Sequence, residues 1–336
     1  MNRYKRLCSL ILAGVLMGTG IATARHSATG RGRPWFAGAR RTPYSRIISI
    51  GDSLSDLGNL FALTGGDKPA PPYYEGRFSN GPLWVEILAA RLRMVLVPED
   101  QYAVAGAYTG PGNLNGAYPG MEDQVLQLLD NHPQGLDPNA LYTIWIGAND
   151  FFATLEVVAL MDPSDPAYQQ NVAQAFLSMV ATGVANTADA VSVLAAAGAR
   201  HILVVNLPDL GITPMGTGLG PGMGPFLSFW VDTYNGALDQ ALDALATAGV
   251  ATIRLDSAGL LRDMVSEPAR FGLVNVTDQG VYAPDPAGYL FWDPVHPTTE
   301  GHEVLADRAV HELLKFYARK RAPRSPRALL GHIKRR

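Results

Sequence analysis

The sequence predicts an α/β protein: a three-layer α/β/α sandwich around a central, mostly parallel five-stranded sheet. Short β-prone apolar runs recur at 47–51, 101–105, 141–146, 201–205 and 251–255. Segments with helical spacing of apolar residues fill the intervals, and this alternation marks parallel strands joined by crossover helices. Neither a repeat nor a break divides the body, so a single domain is expected over 45–317.

The first strand, Ile47-Ile48-Ser49-Ile50, is β-branched and closed by Gly51. Asp52, Ser53 and Ser55 then suit helix capping, and Leu57, Leu60, Phe61 and Ala62 continue with helical spacing. Ser53 is therefore expected between a strand and the positive end of a helix. A polar, proline-broken stretch leads into a helix at 82–93, with Pro82 in its first turn and Leu83, Ile87, Leu88 and Leu92 inward. Met121, Val125, Leu128 and Leu129 mark the next helix. Long helices follow at about 167–197 and 225–248, stopped by Gly198 and Gly249, and a last one at about 299–317.

The chain ends differ from the body. Arg3, Lys5 and Arg6 precede an apolar run and Ala22-Thr23-Ala24, the form of a signal peptide over 1–24 that directs the chain out of the cytoplasm. Retention of this segment as an anchor is the alternative. No other run approaches the length of a membrane span. Cys8, the only cysteine, lies inside it, so a processed chain has no disulfide or thiolate metal site. A basic linker is expected over 25–44 and a basic disordered tail over 318–336. Nine Lys and Arg lie in 1–46 and nine in 315–336, with no acid in either stretch, which leaves the body 47–314 at −21. Basic arms of this kind are solvated disorder, or contact an anionic membrane surface or the body itself. Nothing suggests nucleic-acid binding, and a monomer is expected.

Ser53, ending a strand, sits where a nucleophile would use nearby N–H donors, although a lone serine there also caps a helix. Asp293-Pro294-Val295-His296-Pro297-Thr298 supplies an i, i+3 carboxylate and imidazole within one stiff loop, so the acid can take Nδ1–H while Nε2 faces outward. Of the seven histidines, His26 and His332 lie in the arms, His302 and His311 read as surface positions on the last helix, His132 lies in a turn and His201 opens a strand. Asn149, in Gly147-Ala148-Asn149-Asp150, has an amide that can donate to an oxyanion. Gly106, after the second strand, lets its N–H approach a substrate oxygen. Each also has an ordinary reading as a turn residue.

In order, Gly51-Asp52-Ser53-Leu54, Gly147-x-Asn149-Asp150 and Asp293-x-x-His296-Pro297-Thr298 resemble the SGNH/GDSL hydrolase family over about residues 46–314. The resemblance implies a flavodoxin-like sandwich and a serine ester hydrolase acting through an acyl-serine. It implies Ser53, Asp293 and His296 as the catalytic residues, with Ser53, Gly106 and Asn149 as oxyanion donors, and no cofactor or metal. Pro72-Tyr73-Tyr74-Glu75-Gly76-Arg77-Phe78-Ser79-Asn80-Gly81-Pro82 and Asn206-Leu207-Pro208-Asp209-Leu210-Gly211 look like the bacterial lipase, phospholipase and acyltransferase branch. That branch implies lipid or phospholipid acyl esters as substrates, with choline esters and acyl transfer to an alcohol as alternatives. A non-catalytic binding module is the remaining class. Around Gly106 the chain departs from the branch pattern, with Gln101, Ala105 and Tyr108 where Asn, Gly and Thr are usual. The order Ser, Asp, His also fits common α/β-hydrolases, but the G-x-S-x-G elbow is missing. The glycine-rich run 216–224 lacks a phosphate-loop lysine and reads instead as a mobile loop bordering the acyl pocket, with Met215 and Met223 on its rim. Asn275-Val276-Thr277 is a glycosylation sequon.

Overall fold

The computed structural model describes residues 43–321. The signal peptide expected at 1–24, Cys8, and all but the edges of the linker 25–44 and tail 318–336 lie outside them. At those edges Tyr44 is buried and packs edge-on against His201 and Tyr317, and the last helix extends to Arg321.

Four parallel strands form the sheet, β1 (Ile47–Gly51), β2 (Leu141–Trp145), β3 (His201–Val205) and β4 (Ile253–Leu255), in that spatial order. The register sets Gly51 beside Trp145 and Trp145 beside Val205, so the carboxyl ends of three strands finish level. The expected fifth strand, 101–105, lies along the outer edge of β1 but makes only one bridge, Ser49 to Gln101. Two N–H groups, of Tyr102 and Ala103, converge on the single carbonyl of Ser49, which breaks the ladder's two-residue repeat. Asn59 takes the outward carbonyls of Gln101 and Ala103, capping the edge with a side chain instead of another strand.

The helices are α1 (Asn59–Leu63), α2 (Trp84–Arg91), α3 (Met121–Asn131), α4 (Ala148–Ala159), α5 (Tyr168–Ala196), α6 (Pro214–Gly218), α7 (Met223–Thr247), α8 (Ser257–Ser266) and α9 (Thr299–Arg321). Pro82 precedes α2 instead of opening it, because Leu83 is the cap and its N–H is taken by Glu86. Alternation along each strand divides the core. Ile48, Ile50, Tyr142, Ile144, Ile202 and Val204 face α3, α5 and α7. Ile47, Leu141, Trp145, Leu203 and Val205 face α2, α8 and α9. These are the three predicted layers. A second, two-stranded parallel sheet pairs β5 (Asn275–Gln279) with β6 (Tyr289–Phe291). Its first strand, polar and half-exposed, contains the sequon and offers no apolar pattern to the eye.

By length and composition α5 is apolar enough to cross a membrane, with hydropathy 1.3 in its best window, contrary to the expectation from the sequence. Here 44% of that window is buried, with Phe176, Val180, Val184, Val191 and Leu194 in the core. Phe176 stacks on Trp230 of α7 at 5.0 Å and meets Phe151 of α4 at 5.3 Å. Phe176→Ala is expected to lower unfolding free energy by about 3–5 kcal/mol, read as a lower urea midpoint at unchanged slope. Leu160→Ala, at a side chain 71% exposed, should move it by less than about 0.5 kcal/mol.

Candidate active site

Strand β6 delivers the Asp–His loop. Its chain runs through Trp292 into Asp293 and folds back at once: Trp292 N–H donates to the His296 carbonyl at 2.8 Å, and Thr298 N–H to that of Leu290 at 2.9 Å. Inside this narrow loop Asp293 Oδ1 accepts the N–H groups of Val295 at 2.9 Å and His296 at 2.7 Å. Its Oδ2 lies 2.6 Å from His296 Nδ1. His296 Nε2 lies 2.8 Å from Ser53 Oγ. Ser53, Asp293 and His296, singled out from the sequence, thus form a continuous chain of polar contacts.

The loop is braced from two sides. Ser79 Oγ donates to the Pro297 carbonyl at 2.9 Å, Thr299 N–H donates to Asn80 Oδ1 at 2.8 Å, and Tyr73 OH donates to Asp293 Oδ2 at 2.8 Å. On the other side Met215 N–H donates to the Pro294 carbonyl at 2.9 Å. Met215 is buried, and the run expected as a mobile rim is instead α6 and the start of α7. Two of its glycines serve close packing against the segment 209–211: a Cβ on Gly216 would strike the Leu210 and Gly211 carbonyls, and one on Gly224 the Gly211 carbonyl. Asp209, in the same segment, is buried and accepts from Arg262 Nε at 2.6 Å and Ser228 Oγ at 2.6 Å.

Ser53 does not open a helix, as the sequence suggested. It sits in a turn held by Asp52, whose carbonyl accepts Ser55 N–H at 3.0 Å and whose Oδ1 accepts Leu54 N–H at 3.1 Å. Helix α1 begins only at Asn59 because the Asp56 carboxylate gathers the N–H groups of Gly58, Asn59 and Leu60. The same carboxylate accepts Ala105 N–H at 2.7 Å, tying the serine turn to the segment before Gly106. Any oxyanion stabilisation here comes from individual N–H groups and not from a helix end. Among the described residues, neither Ser53 N–H nor Gly106 N–H has an acceptor.

Gly106 has a left-handed φ of 85°, and a Cβ there would strike the side chains of Asn113 and Asn115. Those two amides hold the Ala105 carbonyl, at 2.9 and 3.2 Å, which fixes the peptide that carries the Gly106 N–H. Asn149 lies in the first turn of α4, after the left-handed Gly147. One of its amide protons goes to the Ala107 carbonyl at 3.0 Å, leaving the other for a ligand. Asp150 clamps the same loop through Thr109 Oγ1 at 2.7 Å.

Residues 47–309 match the family described as GDSL-like lipase/acylhydrolase. The chain belongs to that family. Carboxylic ester hydrolysis is the class of reaction that membership brings. The chain is 27% identical to the phosphatidylcholine-sterol acyltransferase of Aeromonas hydrophila, over 80% of this chain and 90% of that protein. It is 31% identical to esterase EstA of Pseudomonas aeruginosa, over 80% of this chain but only 47% of that protein. Among solved structures, phospholipase A1 from Streptomyces albidoflavus aligns over 80% of this chain and 98% of its own, at TM-score 0.41 and 16% identity.

Electrostatics in this GDSL-family site follow burial. Burial would raise the Asp293 carboxyl, but the adjacent His296 ring and the hydrogen bonds onto the carboxylate hold it below its ordinary value. Asp52, buried beside the serine, is pushed up to about 7 by burial and by Asp150, against the Leu54 N–H and His296. Asp56 and Asp150 are also raised by burial, against the bonds they accept. No group of three or more His, Cys, Asp or Glu among the described residues is placed to hold a metal.

His302 corrects the surface reading given it by the sequence, while His311 is exposed. His302 is 1% exposed because it stands three and four residues before Leu305 and Ala306, on the face of α9 that packs inward. It lines a cavity of about 30 Å³ with Leu54, Val295, Pro297 and Trp145, behind the serine and the Asp–His loop. Tyr73, Asp56 and His302 were missed as site neighbours. Asp56 follows Ser53 by three residues and Tyr73 lies in a branch segment, so both had a signal; His302 had none beyond its helical phase.

Burial, then the neighbouring His296, depresses His302 to about 3. Between that value and the unfolded value near 6.5 the unfolded chain binds more protons, so the contribution of His302 is present above pH 6.5 and is lost as pH falls. Asp52, raised in the fold, acts in the opposite sense, so the informative quantity is a difference. Urea melts at pH 7.5 and 4.5 should show the stability gap between wild type and His302→Gln moving toward the variant by on the order of 2–3 kcal/mol on acidification. A pH-independent gap would contradict it.

Proposed function

We propose that this protein is an exported serine esterase that cleaves acyl esters of the lipid or phospholipid type through an acyl-serine intermediate. The observation that carries the reading is the chain Ser53 Oγ to His296 Nε2 at 2.8 Å and His296 Nδ1 to Asp293 Oδ2 at 2.6 Å. A hydroxyl, a base and an orienting carboxylate in this order have the geometry of nucleophilic acyl transfer. Ser53 Oγ attacks the ester carbonyl as its proton passes to His296 Nε2, and Asp293 holds the Nδ1–H tautomer and steadies the imidazolium. The carbonyl oxygen, now negative, takes hydrogen bonds from Ser53 N–H, Gly106 N–H and the second Asn149 amide proton. Collapse expels the alkoxide, which leaves as the alcohol with the proton from His296. Water then attacks the acyl-serine with His296 again as base, releasing the acid. Export is supported by the basic and apolar run with its small-residue end over residues 1–24. The lipid preference is supported by the similarity to a phosphatidylcholine-sterol acyltransferase.

That similarity, spanning 90% of the acyltransferase, favours a second reading in which an alcohol such as a sterol resolves the acyl-serine in place of water. Incubation with one phospholipid, with and without a sterol, separates the two: free fatty acid alone means hydrolysis, and sterol ester formed at its expense means transfer.

Ser53→Ala should abolish ester turnover and labelling by a fluorophosphonate. Asn149→Ala should remain folded by thermal melt and lose about 10²–10³ in kcat, the usual cost of one oxyanion donor. A folded wild-type protein that fails to label at Ser53 would remove the acyl-serine mechanism, and an unchanged rate in Asn149→Ala would remove that residue from it.

A further inference from the structure

The Asp293 carboxylate accepts four hydrogen bonds, and one of them comes from far away in the chain. Oδ1 takes the two loop N–H groups, and Oδ2 takes both His296 Nδ1–H and, at 2.8 Å, the hydroxyl of Tyr73, 220 residues earlier. The Tyr73 ring is set by Phe78 at 5.7 Å and by Trp292, edge-on, at 6.3 Å, while Phe78 also packs against the His296 ring at 5.1 Å. We propose that Tyr73 is a positioning residue of the esterase, whose phenol fixes the Asp293 carboxylate and tempers its pull on the His296 Nδ1 proton. The inference rests on the acyl-serine reading given above.

Its physical basis is competition at one oxygen. A donor on Oδ2 stabilises the carboxylate and weakens its acceptance of the imidazole proton. Burial and the neighbouring Asp293 keep the Tyr73 phenol protonated, so it serves as donor throughout the working range. Without it, Asp293 is a stronger acceptor that holds the imidazolium more firmly, and it also loses one of its four fixed directions. The other ionisable groups that act on His296, Asp52 and His302, and the Tyr282 phenol that acts on Tyr73, keep their places when one oxygen atom is removed from Tyr73.

Tyr73→Phe is therefore expected to move the acid limb of kcat/KM upward by about 0.5–1 pH unit and to lower kcat roughly tenfold with KM little changed. In an Asp293→Asn background the same substitution should add almost nothing, because Tyr73 acts through that carboxylate. Fluorotyrosine at position 73, a stronger donor that keeps the shape, should move the acid limb downward, and it serves as the test should Tyr73→Phe fold poorly. An unmoved acid limb in these variants, or an equal loss with and without Asp293, overturns the role of Tyr73. Fluorophosphonate labelling of wild-type Ser53 separates this from failure of the esterase reading. A labelled serine with an indifferent Tyr73 sinks only the present inference, whereas an unlabelled one sinks both.

Discussion

The level finish of the parallel strands is the constraint on which everything else rests. Because β1, β2 and β3 run in the same direction and in register, the turns that follow them open at one rim. Parallel pairing requires long crossovers, and those crossovers are the helices that bury both faces of the sheet. The same feature that stabilises the sandwich therefore gathers loops from distant parts of the chain. Ser53 leaves β1 at this rim and Asn149 follows β2, while Gly106 ends the irregular segment lying against β1.

The imidazole and carboxylate arrive differently, through a small accessory sheet. β6 pairs with β5, outside the main sheet, and the loop after it is closed by backbone bonds, by Tyr73, Ser79 and Asn80 on one side, and by Met215 on the other. An imidazole held within hydrogen-bond reach of a hydroxyl 243 residues away cannot depend on its own short loop alone. Bracing from two other segments supplies the missing rigidity, in line with the need for pre-organised groups in acyl transfer. The loop bearing Gly106 is held in the same manner, by Asp56, Asn113, Asn115, Asp150 and the Asn149 amide.

Buried carboxylates crowd this rim, and they divide by partner. Asp209 has a guanidinium, and Asp293 has an imidazole and three further donors. Asp56 and Asp150 have only neutral donors, and Asp52 has a single one with its second oxygen unpaired. Neutral N–H and O–H groups offset desolvation only in part, so the carboxyls of Asp52, Asp56 and Asp150 are pushed upward by their burial. The acidity of the body is thus partly internal and belongs to positioning, not only to surface charge.

Local chemistry written into the chain determined the fold class and the positions of the four strands of the main sheet, and it singled out the candidate residues of the site. Strand alternation, Asp293-x-x-His296 and the polar residues after strand ends are short-range patterns, and Ser53, Asp293, His296, Gly106 and Asn149 were legible for that reason. Tertiary structure alone decided what depends on a partner distant in sequence. It reduced the fifth strand to a bridge, because the N–H groups of Tyr102 and Ala103 both turn to the one carbonyl of Ser49, and it tied the serine turn to the segment before Gly106 through Asp56 and the Ala105 N–H. It buried His302 by the phase of α9 against its neighbours, and it brought Tyr73 to Asp293. A side chain's hydrogen-bond partner is set by three-dimensional proximity, which linear spacing specifies only within a turn or two of the chain.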